Sequence, residues 1–289
     1  MVSQGNGADR RPRSGAGGPA GGPQRRPRTG AQAPRSAGPG RGRRAQPNPA
    51  AIKATAKDTA KDTTKDTMAG QGPVIPPEVE AKQLAPEVRR ELSTLDRTTA
   101  DTVARHLVTA GTLLDEDPEA ALQHARAARA RAARIAAVRE AVGIAAYHCG
   151  DWAQALAELR AARRMGSKSP LLPLIADCER GLGRPQRAVE LARGSEAAEL
   201  IGDEADELRI VAAGARVDLG QLEAALAVLT TPQIDPDRTG AIAARLYYAH
   251  AEILLALDRT DEALQWFLRS AAADVDGVTD AEDRIGELG

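Results

Sequence analysis

Aromatic residues are nearly missing from this 289-residue chain, which has one Phe, three Tyr and two Trp. Its core must therefore be aliphatic, and most of it lacks the stacking platforms that single-stranded nucleic acid requires. Lysine is scarce as well, six residues against 33 Arg; with 59 Ala, this reads as the codon bias of a high-GC bacterium and carries no chemistry. The two cysteines, Cys149 and Cys178, form no Cys-x-x-Cys pair. That excludes a disulfide framework and a thiolate zinc or redox motif. No apolar segment follows the charged start MVSQGNGADRRPR, and no window approaches about 18 consecutive apolar residues. A cytoplasmic protein without a membrane partner is expected.

Catalytic constellations are also lacking. His106, His124, His148 and His250 have no His partner at four residues, so no helical zinc site forms. His148 and Cys149 are adjacent, which on a helix points them about 100° apart, poor geometry for a base and its nucleophile. The Gly-rich N-terminus has no Gly-Lys-Ser/Thr ending for a phosphate loop. Asp235, Asp237, Thr239 and Gly240 imitate the start of a calcium loop, but Leu246 stands where a bidentate Glu is needed. No catalytic residue, metal or cofactor is expected.

What is present is uneven charge. Residues 1–49 hold ten Arg against Asp9 alone, including Arg-Arg-Pro-Arg at 10–13 and 25–28, whereas residues 84–289 hold 24 basic and 34 acidic side chains. The tail has one Val and no Ile, Leu, Phe, Tyr or Trp, so nothing offsets the entropy of ordering it, and disorder is expected. A Lys-Asp-Thr spacer at 53–67 and Pro73, Pro76 and Pro77 extend this low-complexity region to residue 83.

From Leu84 onward apolar residues recur at three- and four-residue steps, predicting helix throughout and no strand. Gly150, Gly183 and Gly220 punctuate the pattern where a left-handed residue would end one helix before the next begins. An Ala follows each turn by five residues, at Ala121, Ala155, Ala188, Ala225 and Ala263, spaced by 34, 33, 37 and 38. Twelve residues before each of these stands Thr109, Gly143, Ala176, Ala213 and Ala251, small in four of five cases. Bulk at either position would push paired helices apart. The expected fold is all-α: five helix pairs over residues 84–289, with a leading helix at 84–95 and a capping helix at 279–288.

Val142-Gly143, Tyr147, Gly150-Asp151-Trp152, Ala155, Leu159 and Ala162 follow the order of large-small, aromatic, glycine turn, alanine, large apolar and alanine. In this the chain resembles the tetratricopeptide repeat family, over about residues 100–273. An Arg-rich tail before such an array also looks similar to actinobacterial repeat proteins. The resemblance implies a right-handed superhelical solenoid and a non-catalytic adaptor that binds one or more proteins through the groove lined by first helices. In the family's register, candidate groove residues are His106, Glu140, Tyr147, Asp177, Arg180, Arg245, Tyr248 and Glu252. Family members that grip acidic chaperone C-termini place Lys, Asn and Arg in the groove. The matching His106, Ala110, Glu140, Ile144 and Pro170 do not supply them.

A second candidate surface is basic: Arg126, Arg129, Arg131, Arg134 and Arg139, then Arg160, Arg163 and Arg164. It reads either as a solvated outer face or as a site for phosphate or an acidic partner, including the acidic repeats of a second copy, so self-association is one option. The alternative function is an RNA-associated factor whose Arg-rich tail makes non-specific nucleic-acid contacts.

Overall fold

The computed structural model describes residues 72–289. The Arg-rich tail, the Lys-Asp-Thr spacer and the disorder expected for them lie outside the described residues. Among the described residues there are twelve α-helices and no strand, as the periodicity predicts. The leading helix α1 (Pro86–Leu92) precedes five pairs: α2 (Arg97–Leu113) with α3 (Pro118–Ala132), α4 (Ala136–His148) with α5 (Trp152–Arg164), and α6 (Leu172–Gly181) with α7 (Pro185–Ala192). The fourth is α8 (Gly202–Asp218) with α9 (Leu222–Thr230), and the fifth is α10 (Ala241–Ala256) with α11 (Thr260–Ala273). Last comes α12 (Ala281–Leu288). Each helix packs on its partner and on the next helix in sequence, and the first helices also touch along the array (α2 on α4, α6 on α8, α8 on α10). This nearest-neighbour contact pattern is that of a helical-repeat stack.

The turn inside each pair is built the same way four times. Gly150 N–H donates to Tyr147 O and Asp151 N–H to Ala146 O, both at 2.9 Å. The equivalent bonds recur at Gly183-Arg184, Gly220-Gln221 and Asp258-Arg259. These two bonds close the last turn of the first helix through a left-handed residue, and φ is 71°, 73°, 71° and 59° at the four positions. Asp258 is the one non-glycine with positive φ among the described residues. The first pair differs: Asp117 N–H donates to Leu113 O at 2.8 Å with no left-handed residue. Asp117 and Asp151 then accept from Ala120 N–H and Gln154 N–H, capping α3 and α5.

All ten small-residue positions are buried, from Thr109 and Ala121 to Ala251 and Ala263. A Cβ on Gly143 would lie 2.7 Å from the Leu159 side chain, so α4 and α5 approach at a distance that only glycine permits here. Thr109, the large exception, turns its hydroxyl to Arg105 O of its own helix. Its polar atom is thereby satisfied inside the pair.

The ends differ from expectation in detail. The Pro-rich stretch expected to be linker up to residue 83 is docked from Pro76 onward. Arg105 of α2 donates to Val79 O at 2.8 Å and to Pro76 O at 3.4 Å, and Ala81 packs on the core of the first pair. Its ordering comes from carbonyl acceptors, which every sequence has. At the other end α12 is seated by Arg284, which donates to Glu252 at 2.9 Å and covers the Phe267 ring.

The recurring left-handed position generates a stability prediction. Asp258→Gly removes a strained side chain, and Gly220→Ala introduces one at the equivalent place. Urea unfolding should show the first gaining about 1 kcal/mol and the second losing about as much.

Candidate functional site

Four of the predicted groove residues, Tyr147, Asp177, Arg180 and Arg245, lie on first helices and make side-chain contacts along the array. Asp177 on α6 is buried, with 6 % of its surface exposed. It accepts from the Tyr147 hydroxyl of α4 at 2.6 Å and from Arg180 at 2.7 Å. Arg180 extends along the array to donate to Asp218 of α8 at 3.0 Å, its guanidinium lying where a Cβ on Gly214 would sit. Arg245 of α10 pairs with Glu207 of α8. The contacts therefore run across four successive first helices. Burial, with the Asp177 carboxylate beside it, pushes the Tyr147 hydroxyl far above the usual phenol range, so it keeps its proton and donates it to Asp177. Burial also raises the Glu207 carboxyl, partly offset by Arg245.

The other candidates have different surroundings. Glu140 accepts from Ser169 at 2.6 Å and Ser167 at 2.7 Å, tying α4 to the loop before α6. Tyr248 stacks edge-on to Phe267 at 5.4 Å with Asp280 beside its hydroxyl, and Glu252 is held by Arg284. His106 is not on the open face. It is 3 % exposed, inside the first pair, with its Nδ1 3.1 Å from Nδ1 of the equally buried His124. Packing against α3, eighteen residues away, decides that rotation, and helical spacing within α2 carries no trace of it.

The basic stripe is largely consumed in bridging. Arg126 of α3 reaches Gln154 and Asp151; Arg129 of α3 and Arg139 of α4 both pair with Glu158 of α5. Arg160 of α5 donates to Glu179 of α6 at 2.6 Å, and Arg163 pairs with Glu196 at 3.0 Å. Arg131 bonds a carbonyl of its own helix. Arg134 and Arg164 are exposed and have no side-chain partner among the described residues.

A common pattern emerges. Three of four buried carboxylates take one donor from their own pair and one from a neighbour: Glu158 from Arg139 and Arg129, Glu179 from Arg184 and Arg160, Asp177 from Arg180 and Tyr147. The fourth, Asp206 of α8, takes Arg209 from its own helix and Arg238 from the loop leading to α10. Ionised carboxylates survive burial only with such full satisfaction.

Two close approaches of Trp152, one to the next pair and one within its own, escape sequence reading. The Trp152 ring lies on the last turn of α6, where a Cβ on Gly181 would be 2.5 Å from it, and Tyr147 meets Trp152 edge-on at 5.1 Å. The available signal is a second glycine two residues before the turn glycine Gly183, next to a repeat whose turn carries Trp.

Burial pushes the Cys178 thiol up to about 12 and raises Cys149 as well, so both are protonated near neutrality. Asp235 caps the Asp237 N–H, and its backbone carbonyl receives the Tyr247 hydroxyl. Among the described residues no group of three or more His, Cys, Asp or Glu is placed to hold a metal ion, and no helix is long and apolar enough to cross a membrane. The fold is that of an all-α array of stacked helix pairs. In comparison with known proteins, no family model and no curated protein matches the chain.

Burial lowers His106 to about 4, helped by the nearby His124, Arg131 and Arg105, and burial beside Arg259 lowers His250 to about 4. The unfolded chain takes up these protons near 6.5, so the stability they contribute is fully present above that pH and is lost as pH falls toward 4. Between pH 6.5 and 5 most unfolded-state carboxylates are still ionised. Urea midpoints should therefore fall across that window, and the double variant His106→Gln with His250→Gln should flatten the slope.

Proposed function

We propose that this chain is a non-catalytic protein-interaction scaffold of tetratricopeptide-repeat type, with the face of the first helices as its groove. The observation that carries the reading is the run of side-chain contacts from Tyr147 through Asp177, Arg180 and Asp218, continued by Glu207 and Arg245. It ties four first helices, α4 to α10, together through polar side chains, and a preorganised surface lowers the entropic cost of capturing an extended segment. Four alike turns and ten buried positions, nine of them Ala or Gly, support the repeat assignment. The source is proposed to be a high-GC bacterium and the location cytoplasmic.

The competing reading is an RNA-associated factor, supported by the ten Arg of residues 1–49 and the unpartnered Arg134 and Arg164. Affinity purification of the full chain, with and without residues 1–49 and with and without nuclease, separates the two. The scaffold reading expects the same main partner in all four conditions, and weaker recovery when Arg245 is changed to Glu. Loss of the partner on tail removal or nuclease treatment would favour the RNA reading.

A further inference from the structure

The outer helices of the array are unequal. α3, α5 and α11 have 15, 13 and 14 residues, whereas α7 and α9 have 8 and 9. At 1.5 Å per residue, a shortfall of about five residues leaves each about 8 Å short. Between them a groove of ≈ 610 Å³ opens onto the side of α8. Its floor is Ala205, Leu208 and Ala212, and its walls are Ala192 of α7 and Ala227 and Val228 of α9. On a helix, positions 205, 208, 212 and 216 lie opposite 207, 214 and 218, so this groove is on the far side of α8 from the Glu207 and Asp218 contacts. Ile201, 80 % exposed and one turn before Ala205, prolongs the apolar strip.

Two observations specify the occupant. The walls are mostly methyl groups, which let a helix axis approach within the usual 8–10 Å. The rim is cationic. Arg193 stands five residues after Ala188, the position that Arg126 and Arg160 hold after Ala121 and Ala155. Arg126 and Arg160 each reach a side chain of the next pair, whereas Arg193 has no side-chain partner among the described residues. Arg216 has only the amide of Gln221. Arg209, by contrast, is fixed: it donates to Asp206 and to the carbonyls of Leu229 and Pro232, which holds the end of α9 in place. The wall is thus rigid and two guanidinium groups stand over it with charge to spare.

We infer that this outer groove docks an acidic amphipathic helix of a partner protein, with Ala- or Leu-sized side chains against α8 and carboxylates paired to Arg193 and Arg216. This second docking surface rests on the scaffold reading and is independent of the first-helix face. It takes the place in the outer layer that longer α7 and α9 helices would fill.

The test uses the full chain and a displayed library of helices of about 14 residues, long enough to span the groove, randomised among Ala, Leu, Glu and Lys. Selection should enrich Glu over Lys beside an apolar face. Enriched peptides should bind roughly tenfold or more weakly to Ala227→Trp, which fills the groove from an exposed position, and to Arg193→Glu with Arg216→Glu. Circular dichroism checks that both variants keep the wild-type helical signal; for one that does not, Ala198→Trp, also on the exposed rim, replaces it. Binding should be unchanged in Arg245→Ala. No enrichment, Lys-rich winners or insensitivity to Ala227→Trp would overturn the inference. So would a dimer of the chain itself that Ala227→Trp dissolves, because the occupant would then be a second copy. Peptides that ignore Ala227→Trp but are lost in Arg245→Ala would sink this groove while leaving the scaffold reading standing.

Discussion

A carboxylate buried between two helix pairs is tolerable only if donors from both sides reach it, and this requirement organises the molecule. Glu158, Asp177, Glu179 and Asp206 are between 2 % and 6 % exposed; the first three are each held by one donor from their own pair and one from a neighbour, and Asp206 by Arg209 of its own helix and Arg238 of the loop leading to the fifth pair. Shifting one pair relative to the next would strand a charge in a dry contact, at a cost of several kcal/mol. Apolar contacts between Ala-rich helices tolerate sliding far better, since methyl groups offer little shape to register. In a chain with six aromatic residues, buried ion pairs supply the registry that large side chains would otherwise give.

The same constraint explains the uneven charge of the array. Residues 126–168 carry nine basic and three acidic groups, and residues 196–289 carry seven and twenty. Arg160 and Arg163 reach forward to Glu179 and Glu196, and Arg180 to Asp218, so each basic segment is partly neutralised by the next, more acidic one. Among the cations left without a carboxylate partner are Arg134, Arg164 and Arg193, at or just past the C-terminal ends of outer helices.

Local chemistry made the fold readable. Gly150, Gly183 and Gly220 mark left-handed turns, and the recurrence of Ala five residues later located the pairs without any knowledge of their packing. Asp258 shows that the position persists when the glycine does not. The face of the first helices was readable to the extent that Tyr147, Asp177, Arg180 and Arg245 share it. Three features were not. Ion pairs join residues 19 to 38 apart on different helices, as in Arg160 with Glu179 and Arg180 with Asp218, and helical periodicity has no term for such partners. His106 was misplaced because α3 sets the rotation of α2. The outer groove arises from helix lengths, and α7 and α9 end where Gly194 and Pro232 follow; those breakers are visible in the sequence, but the space they leave appears only once neighbours are stacked.

The central claim is that inter-pair carboxylate clamps couple the repeats, and a double-mutant cycle on Arg160 and Glu179 tests it most directly. Their contact, 2.6 Å across the junction of α5 and α6, joins the second pair to the third. Urea unfolding of the full chain, of Arg160→Ala, of Glu179→Ala and of the double variant yields the interaction energy. The account predicts a coupling of about 1–3 kcal/mol, with Arg160→Ala alone costing more than the double variant, since it leaves Glu179 buried with Arg184 as its one remaining cation. Costs that add to within about 0.5 kcal/mol would contradict it and leave apolar packing as the source of registry.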